Sequence, residues 1–542
     1  MFVRTKRRGQ RTYLMVVKNE RIAGKVKQRV LYSLGRLDLL QASGELDALL
    51  LSAQRFSKRL AVLGAEASGA VTTSRSRRIG AVLVFERLWQ ELQLEAIIKG
   101  LVKERQFGFA VERAVFLTVL HRLLVSGSDR AAERWKEEYA IAGVEELGLH
   151  HLYRTMSWLG EPLPGGELAC RCLKDQIEEE LFARRRDLFA NLDLVFFDTT
   201  SLYFEGEGGE SLGRHGHSKD HRPDLKQMVV GVALDGAGRP LCSELWPGNS
   251  SDVKSLLPVT ERLEKRFAVG EVCLVADRGM VSKGTVAELE RRGLNYILGM
   301  RRRSTREVRE EVLGRGGRYR EVCWQRLPGK AALRLKVKEV VLKGKRYIVC
   351  LNEEQAAKDR DDRQAIVSSL AEALRRGEKE LIGNSGYRRY LRLVGKRLMI
   401  DEEKVEAEAR YDGKWVLATN TTLPASEVAL KYKQLWMVES IFRSLKSLLQ
   451  TRPIYHKSDA AIRGHVFCSF LALLLRKELQ DRLAAKGWRL EWAEIIRDLD
   501  NLVEIEVTIN DHNYLLRSSS AGTVSKVFQA CGLALPPLVR QR

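Results

Sequence analysis

The chain has 542 residues, more than one ordinary domain, and a 44% hydrophobic content that is sufficient for several packed cores. Lysine and arginine outnumber aspartate and glutamate by 92 to 70, and this net charge of +22 indicates a polyanionic partner, with nucleic acid as the first candidate. Eight cysteines without CxxC spacing exclude a disulfide scaffold, and neither a signal peptide nor a bilayer-spanning run is expected.

The N-terminal region, residues 1–62, is predicted to be a basic β unit followed by a helix. Tyr13–Val17 and Val26–Tyr32 are rich in β-forming residues and are separated by a loop. The many lysines and arginines here fit DNA binding, but a basic hairpin without a special role fits them equally well. The helix is predicted over 37–61, and the Ala/Gly/Ser/Thr-rich stretch 63–78 is predicted to be a linker.

Helical periodicity dominates residues 79–160. Apolar residues recur there every three or four positions, which predicts a helical domain for DNA binding or dimerisation, although a plain bundle gives the same pattern. A boundary follows at Gly160–Gly166, where Pro162 and Pro164 lie, and a charged helix is predicted over about 174–190.

An α/β domain is predicted over 174–300. Two of its strands are continuous apolar runs that end in an acid: Leu194–Phe197 precedes Asp198, and Val272–Ala276 precedes Asp277. The predicted order is a meander of three strands, then helix, strand, helix, strand. This is the order of an RNase H-like sheet, in which the fourth strand lies beside the first. That adjacency would bring Asp198 and Asp277 together.

The following segment, 301–425, is predicted to be a β-rich insertion in that sheet. Apolar and basic residues alternate over 333–338, and a further β-forming run lies at Tyr390–Val394. Residues 426–485 are predicted to return to the α/β domain, and residues 486–542 to form a charged C-terminal region.

A helix predicted over Tyr432–Gln450 carries a column of polar and aromatic side chains. Six of them follow one another at steps of three and four positions and therefore share one helix face: Tyr432, Trp436, Glu439, Arg443, Lys446 and Gln450. Taken alone, such a column is typical of a solvated helix face. Two aspartates at the ends of apolar strands make a functional interpretation stronger.

Three acids in this arrangement fit metal-assisted phosphodiester chemistry. Two divalent ions can activate a nucleophile and stabilise the leaving oxygen. Mg²⁺, with Mn²⁺ as a substitute, requires carboxylate oxygens, while water and phosphate complete its shell. Asp198, Asp277 and Glu439 are therefore the candidate catalytic and metal-binding residues. Each acid alone is weak evidence, because a strand-end aspartate more often caps a turn.

A glycine-rich loop after the first apolar strand contains three histidines, His215, His217 and His221. No cysteine or histidine pair stands at zinc-ligand spacing, so a solvated loop is the better interpretation. Neither a P-loop lysine motif nor a Ser/His hydrolase elbow is present in the sequence.

Six sequence words occur in order along the chain: FDTTSLYFEGEG around Asp198, SKDHRPDLKQ at 218–227, ELWPGNSSD at 244–252, VADRGM around Asp277, YDGKWVLATNT at 411–421 and YKQLWMVESIFRSLKS from Tyr432. With these words the chain resembles bacterial insertion-sequence transposases of the DDE type, in the group with a β-rich insertion before the glutamate. The resemblance extends from the basic N-terminal hairpin to about residue 480.

The resemblance implies that the catalytic triad is Asp198, Asp277 and Glu439. It also implies a Tyr-x2-Arg-x3-Glu-x6-Lys signature, in which Tyr432 and Lys446 are DNA-binding residues. Leu435 stands at the arginine position of that signature. Arg443, on the same predicted helix face, is the candidate replacement.

The family further implies a Mg²⁺-dependent enzyme that binds the terminal inverted repeats of its element, cleaves the DNA ends and joins the 3′-hydroxyl to target DNA. Double-stranded DNA is then the partner, the enzyme is a homodimer or a larger synaptic assembly, and it is a cytoplasmic, nucleoid-associated protein without a membrane segment. Two alternatives stay open. One is an RNase H-like nuclease without strand transfer, and the other is a non-catalytic DNA-binding protein derived from a transposase.

Overall fold

A computed structural model of the chain describes residues 2–22, 25–53, 56, 71–103, 105–164, 171–189, 193–267, 272–324, 333–376, 389–394, 397–449, 451–452, 454–509 and 512–541. Its strands are β1 Phe2–Arg8, β2 Arg11–Ile22, β3 Lys25–Arg36, β4 Val71–Arg78, β5 Leu194–Tyr203, β6 Gln227–Leu234, β7 Pro240–Pro247, β8 Cys273–Ala276, β9 Asn295–Gly299, β10 Arg320–Trp324, β11 Leu333–Leu342, β12 Lys345–Leu351, β13 Leu391–Val394, β14 Arg397–Ile400, β15 Lys414–Thr419, β16 Val503–Ile509, β17 His512–Arg517 and β18 Val539–Gln541.

The α-helices in the same ranges are α1 Leu37–Ala42, α2 Glu45–Ala53, α3 Gly80–Glu91, α4 Leu94–Val102, α5 Val111–Leu124, α6 Asp129–Trp135, α7 Leu149–Leu159, α8 Leu173–Arg184, α9 Leu256–Phe267, α10 Lys283–Arg291, α11 Glu353–Arg376, α12 Glu402–Ala409, α13 Ala425–Lys433, α14 Trp436–Arg443, α15 Asp459–Ala485, α16 Trp492–Asp500 and α17 Val524–Ala530. None of these helices is both long and apolar enough to cross a membrane.

The chain divides into two compact units. One comprises Met1–Val84, Glu137–Ala140 and Lys486–Arg542, and the other comprises Phe85–Lys136 and Ile141–Ala485. The first unit contains an antiparallel sheet of order β1-β2-β3, so the predicted N-terminal hairpin is present with an additional strand in front of it. The side chains of β1 are exposed along its whole length.

Two predictions in the first unit differ from the structure. The helix predicted over 37–61 is two short helices, α1 and α2, because Gly44 between them has a φ of 71°, which a helix cannot contain. The predicted linker 63–78 lies partly outside the described residues, and its last part forms strand β4. β4 pairs with β16 near the other end of the chain, in a four-stranded sheet of order β18-β17-β16-β4. The polar, small-residue composition of β4 gives no local sign of that distant partner.

The second unit is built on a mixed sheet whose described strands have the order β10-β11-β12-β15-β9-β8-β5-β6-β7. β5, β6 and β7 form the predicted antiparallel meander, and β8 pairs in parallel with β5 from Leu194↔Cys273 to Phe197↔Ala276. The predicted adjacency of the first and fourth strands is thus confirmed. Phe182 of α8, Val259 of α9 and Leu289 of α10 share one buried core with residues of these strands.

The segment predicted as a β-rich insertion, 301–425, is of mixed structure. Its strands β10, β11, β12 and β15 extend the same sheet, and β15 joins it by pairing Leu417 with Gly299 of β9. It also contains the 24-residue helix α11 and the small hairpin β13–β14. α11 is highly charged and buries only Leu370, so the sequence has no apolar stripe from which this helix could be predicted.

Candidate active site

Asp198 and Asp277 each follow the last residue of a paired stretch on two neighbouring parallel strands. Phe197 pairs with Ala276 in the β5–β8 ladder, and the two acids are the next residues on their chains. The sequence places Asp198 at the end of its strand, but β5 continues past it because Asp198 still pairs with Val232 on β6. The adjacent strands therefore bring two of the three predicted acids together.

The charge around Asp198 is poorly compensated. The pKa of Asp198 is raised to about 7, mainly by burial and also by the negative charges of Asp277 and Asp252. The cation Lys219 opposes this effect, and so does the backbone N–H of Thr199, which donates to Asp198 Oδ1 at 2.7 Å. Neighbouring carboxylates whose negative charge is only partly neutralised by the protein are suitable ligands for a divalent cation, which would stabilise them.

Asp277 is held by a tyrosine from α13. The hydroxyl of Tyr432 donates to Asp277 Oδ1 at 2.6 Å. Burial raises the pKa of Tyr432 well above its ordinary value, and Asp277 raises it further, so the phenol stays protonated and remains a donor. Gly299 at the end of β9 makes room for this contact, because a Cβ at that position would collide with the Tyr432 hydroxyl.

A second layer of polar residues supports Asp198. Thr199 Oγ1 donates to Asp252 Oδ1 at 2.8 Å, and Lys219 Nζ lies 3.2 Å from Asp252 Oδ2. Lys219 also donates to the Thr199 carbonyl oxygen at 2.8 Å. Sequence reasoning assigned no role to these residues, although Lys219 and Asp252 lie within words 218–227 and 244–252. Membership of those words was the only signal that pointed to them.

The predicted helix over 432–450 is divided into separate segments. α13 ends at Lys433, α14 begins at Trp436, and a π-helical turn spans Ser444–Leu448. Tyr432 therefore lies on a different helix from Glu439, and the predicted column is not carried by one uninterrupted helix. Gln450, its last member, lies outside the described residues.

Glu439 is exposed on α14, which packs against β5 and β6. Its charge acts on Lys433, whose pKa is lowered by burial and partly restored by Glu439. The carboxylates of Asp198, Asp277 and Glu439 do not lie within 4.8 Å of one another as a set of three. The structure thus gathers two of the predicted acids and places the third on a helix beside the strand that carries Asp198.

Among the described residues, one group of three potential metal ligands does converge within 4.8 Å: Asp129, His456 and His465. Arg122 already supplies a positive charge there, with Nη2 at 2.8 Å from His465 Nδ1 and 3.6 Å from Asp129 Oδ1. Burial lowers the pKa of both histidines. The group is therefore a buried polar network around an arginine. His215, His217 and His221 are exposed, as the solvated-loop interpretation predicts.

The predicted DNA-binding residues have different environments. Lys446 Nζ lies 2.7 Å from Asp220 Oδ1, and Arg452, which sequence reasoning did not single out, lies 2.6 Å from Asp220 Oδ2. Arg443 is exposed on α14, whereas Leu435, at the arginine position of the signature, is buried with 8% of its surface exposed.

Family models and solved structures give an independent view of the chain. The model described as "Transposase DDE domain" matches residues 191–475, and the model described as "IS1634 family transposase, N-terminal domain" matches residues 2–67. A search of curated proteins finds no match. The chain is similar to a piggyBac transposase in a cryo-EM synaptic complex with hairpin DNA, at 11% identity over 78% of this chain and 79% of that chain, with a TM-score of 0.35.

A second similar structure is the Mos1 transposase in a paired-end complex with the left transposon end, at 12% identity over 35% of this chain and 60% of that chain, with a TM-score of 0.15. Neither structural similarity is close enough to add to the assignment. The DDE-domain match, however, spans more than half of the 542 residues and includes Asp198, Asp277 and Glu439. The chain therefore belongs to the DDE family of bacterial insertion-sequence transposases.

Proposed function

We propose that this transposase binds the terminal inverted repeats of its element, cleaves the DNA there, and joins the freed 3′-hydroxyl to target DNA at a site formed by Asp198, Asp277 and Glu439. The observation that carries the proposal is the adjacency of Asp198 and Asp277 on parallel strands β5 and β8 within the matched DDE domain. The strand order β9-β8-β5-β6-β7 supports an RNase H-like description of this part of the sheet.

Each of the two aspartates has one carboxylate oxygen in a hydrogen bond and a second oxygen available to a cation. Asp198 accepts a hydrogen bond from Thr199 N–H at Oδ1, and Asp277 accepts one from Tyr432 at Oδ1. These bonds fix both carboxylates while their Oδ2 atoms accept no hydrogen bond from the described residues. Family membership implies a divalent metal, and we propose two Mg²⁺ ions, which Mn²⁺ can replace. When bound, they would activate water or a 3′-hydroxyl and stabilise the leaving oxygen.

Glu439 completes the site in this proposal. Its helix, α14, follows α13 after a two-residue turn at Gln434 and Leu435. A π-helical turn follows directly at Ser444–Leu448, and such turns are frequent at functional sites. We propose that Glu439 holds the second of two metal ions, which lie about 3.5–4 Å apart in such sites, so that it does not have to lie within 4.8 Å of both aspartates.

DNA is the partner that the charge distribution fits best. The net charge of +22 supports backbone neutralisation, and the exposed strand β1 carries several cations: Arg4, Lys6, Arg7 and Arg8. We propose that residues 1–62 and 79–160 contribute to end binding or dimerisation, and that a homodimer or larger assembly pairs two ends at the nucleoid in the cytoplasm.

The experiment is a combined cleavage and joining assay. Purified protein is incubated with a labelled fragment that carries the terminal inverted repeat, a target plasmid, and either Mg²⁺ or EDTA. We expect cleavage at the repeat boundary and joined product only with the metal. Cleavage without joining would identify a nuclease, and a shifted but uncut fragment would identify a non-catalytic DNA-binding protein. Either result would overturn the proposed activity.

A further inference from the structure

Asp220 joins two cations that lie six positions apart and beyond the end of α14. Its two carboxylate oxygens are divided between them, with Lys446 Nζ on Oδ1 at 2.7 Å and Arg452 Nη1 on Oδ2 at 2.6 Å. The Asp220 side chain is only 6% exposed, so its charge is weakly screened by salt, whereas the Arg452 side chain keeps 25% of its surface exposed. One carboxylate compensates one of the two positive charges, and the group therefore keeps a surplus of one.

Arg452 retains the capacity to bind a second anion. A guanidinium has five N–H donors, and the ion pair with Asp220 engages one of its nitrogens. The same guanidinium makes a cation–π contact with the ring of Tyr203, 5.2 Å from the ring centroid. Arg452 also lines an open cavity of about 440 Å³ together with Tyr153, Tyr455 and Lys457, so an incoming ligand can reach it.

The group is tied to the catalytic strand through the residue before Asp220. Lys219 Nζ donates to the Thr199 carbonyl oxygen at 2.8 Å, and its backbone N–H donates to Ser201 Oγ at 2.8 Å. Thr199 and Ser201 lie on β5, directly after Asp198. The dipeptide Lys219–Asp220 therefore holds the two cations at a fixed place relative to the first catalytic acid.

The family resemblance already gives Lys446 a role in DNA binding. We propose that Arg452, which Asp220 joins to Lys446, contacts the same DNA backbone phosphate, so that the two cations form a single site beside the catalytic acids. Arg452 then supplies the cation that Leu435 does not, because the Leu435 side chain is buried and apolar. Asp220 is a positioning residue that acts through the two cations. The inference rests on the proposed function, since the phosphate belongs to the bound element end.

The test measures DNA binding in EDTA, where no cleavage occurs, with a labelled terminal-repeat fragment at several salt concentrations. Binding that neutralises one phosphate contributes about 0.9 to the slope of log K against log salt. The double variant Lys446→Ala/Arg452→Ala should therefore lose about one unit of slope, and each single variant no more than that. Lys477→Ala removes a lysine that pairs with Asp481 on α15, and this control should keep the wild-type slope.

A slope loss of about two in the double variant would mean two separate phosphates, and an unchanged slope would mean no phosphate contact. Either result overturns the single-site proposal. A slope loss in Arg443→Ala that Arg452→Ala does not show would assign the missing cation to Arg443 and overturn it as well. If the wild-type protein does not bind the fragment, the proposed function itself fails, which separates the two failures.

Asp220→Asn tests the positioning role. Both cations remain charged in this variant, so we expect the salt slope to be retained or to increase, while cleavage with Mg²⁺ slows because the cations are no longer fixed. A thermal unfolding midpoint equal to that of the wild type establishes that the variant is folded. If its midpoint falls, Asp220→Glu, which keeps the charge, should restore cleavage in part. Wild-type cleavage by Asp220→Asn would exclude the positioning role.

Discussion

The hydroxyl of Tyr432 donates a 2.6 Å hydrogen bond to Oδ1 of Asp277, across the gap between α13 and the end of β8. The family signature implies that Tyr432 binds DNA, whereas in the structure its phenol orients a carboxylate of the proposed triad. A hydrogen bond of this kind fixes the direction in which the second oxygen of the carboxylate points.

We expect Tyr432→Phe to fold and to bind DNA ends, but to cleave them about ten- to hundredfold more slowly, the usual effect of losing a partner that orients a metal ligand. The measurement is the rate of cleavage under single-turnover conditions. Tyr139→Phe is a matched control, because Tyr139 makes the same type of bond, at 2.9 Å, to Asp500 in the other unit. Equal rates for the two variants would show that the Tyr432 bond has no catalytic consequence.

Gly299 offers a second way to disturb the same contact. A Cβ there would collide with the Tyr432 hydroxyl and would lie 3.0 Å from the backbone nitrogen of Arg278. We expect Gly299→Ala to slow cleavage and to destabilise the fold by about 1–3 kcal/mol, as overpacking does.

Because both substitutions disturb one bond, Gly299→Ala and Tyr432→Phe should not be additive in cleavage rate. The double variant should cleave at nearly the rate of Tyr432→Phe alone. Fully multiplicative losses would indicate that Gly299 acts through the backbone of Arg278 and not through Tyr432.

The raised pKa of Asp198 predicts a pH-dependent stability. The folded protein retains the Asp198 proton up to about pH 7, whereas the unfolded chain releases it near 3.8. Between these values the folded state binds more protons, so this residue lowers the free energy of unfolding as the pH rises, by at most about 1.4 kcal/mol per pH unit.

Asp198→Asn removes that titration. In metal-free buffer the free energy of unfolding of this variant should equal that of the wild type near pH ~4 and exceed it above pH ~7. Urea unfolding across this range measures the difference, with the exposed Asp361→Asn as a control. If the free energy of unfolding of Asp198→Asn depends on pH as that of the wild type does, then burying the Asp198 charge does not cost stability.

Those parts of the sheet that depend on local sequence patterns could be predicted from the sequence. Leu194–Phe197 and Val272–Ala276 are apolar along their whole length because both faces of their strands are buried. The order of strands and helices along the chain then predicts that Asp198 and Asp277 are neighbours. These two acids were predictable because each directly follows a buried apolar run, and the order of elements makes the two runs neighbouring strands.

Contacts between distant segments were not predictable in the same way. β4 is a strand only because β16 pairs with it, and its polar residues match a linker in composition. Asp220 meets Lys446 across 226 positions, through a loop whose course no periodicity describes. The break before Trp436 also escaped prediction, since the helical spacing of apolar residues continues through it.

Glu439 provides the most direct test, because the central claim is that three carboxylates form one site and the structure already brings two of them together. Protein and terminal-repeat DNA are assembled without metal, Mg²⁺ is added, and cleavage is followed through one turnover. Glu439→Gln should bind the DNA as the wild type does and cleave it slower by roughly a thousandfold or more, the loss expected when several kcal/mol of transition-state stabilisation are removed. Glu427→Gln, an exposed acid in the first turn of α13, should cleave at the wild-type rate. Cleavage by Glu439→Gln at the rate of this control would contradict the three-carboxylate site.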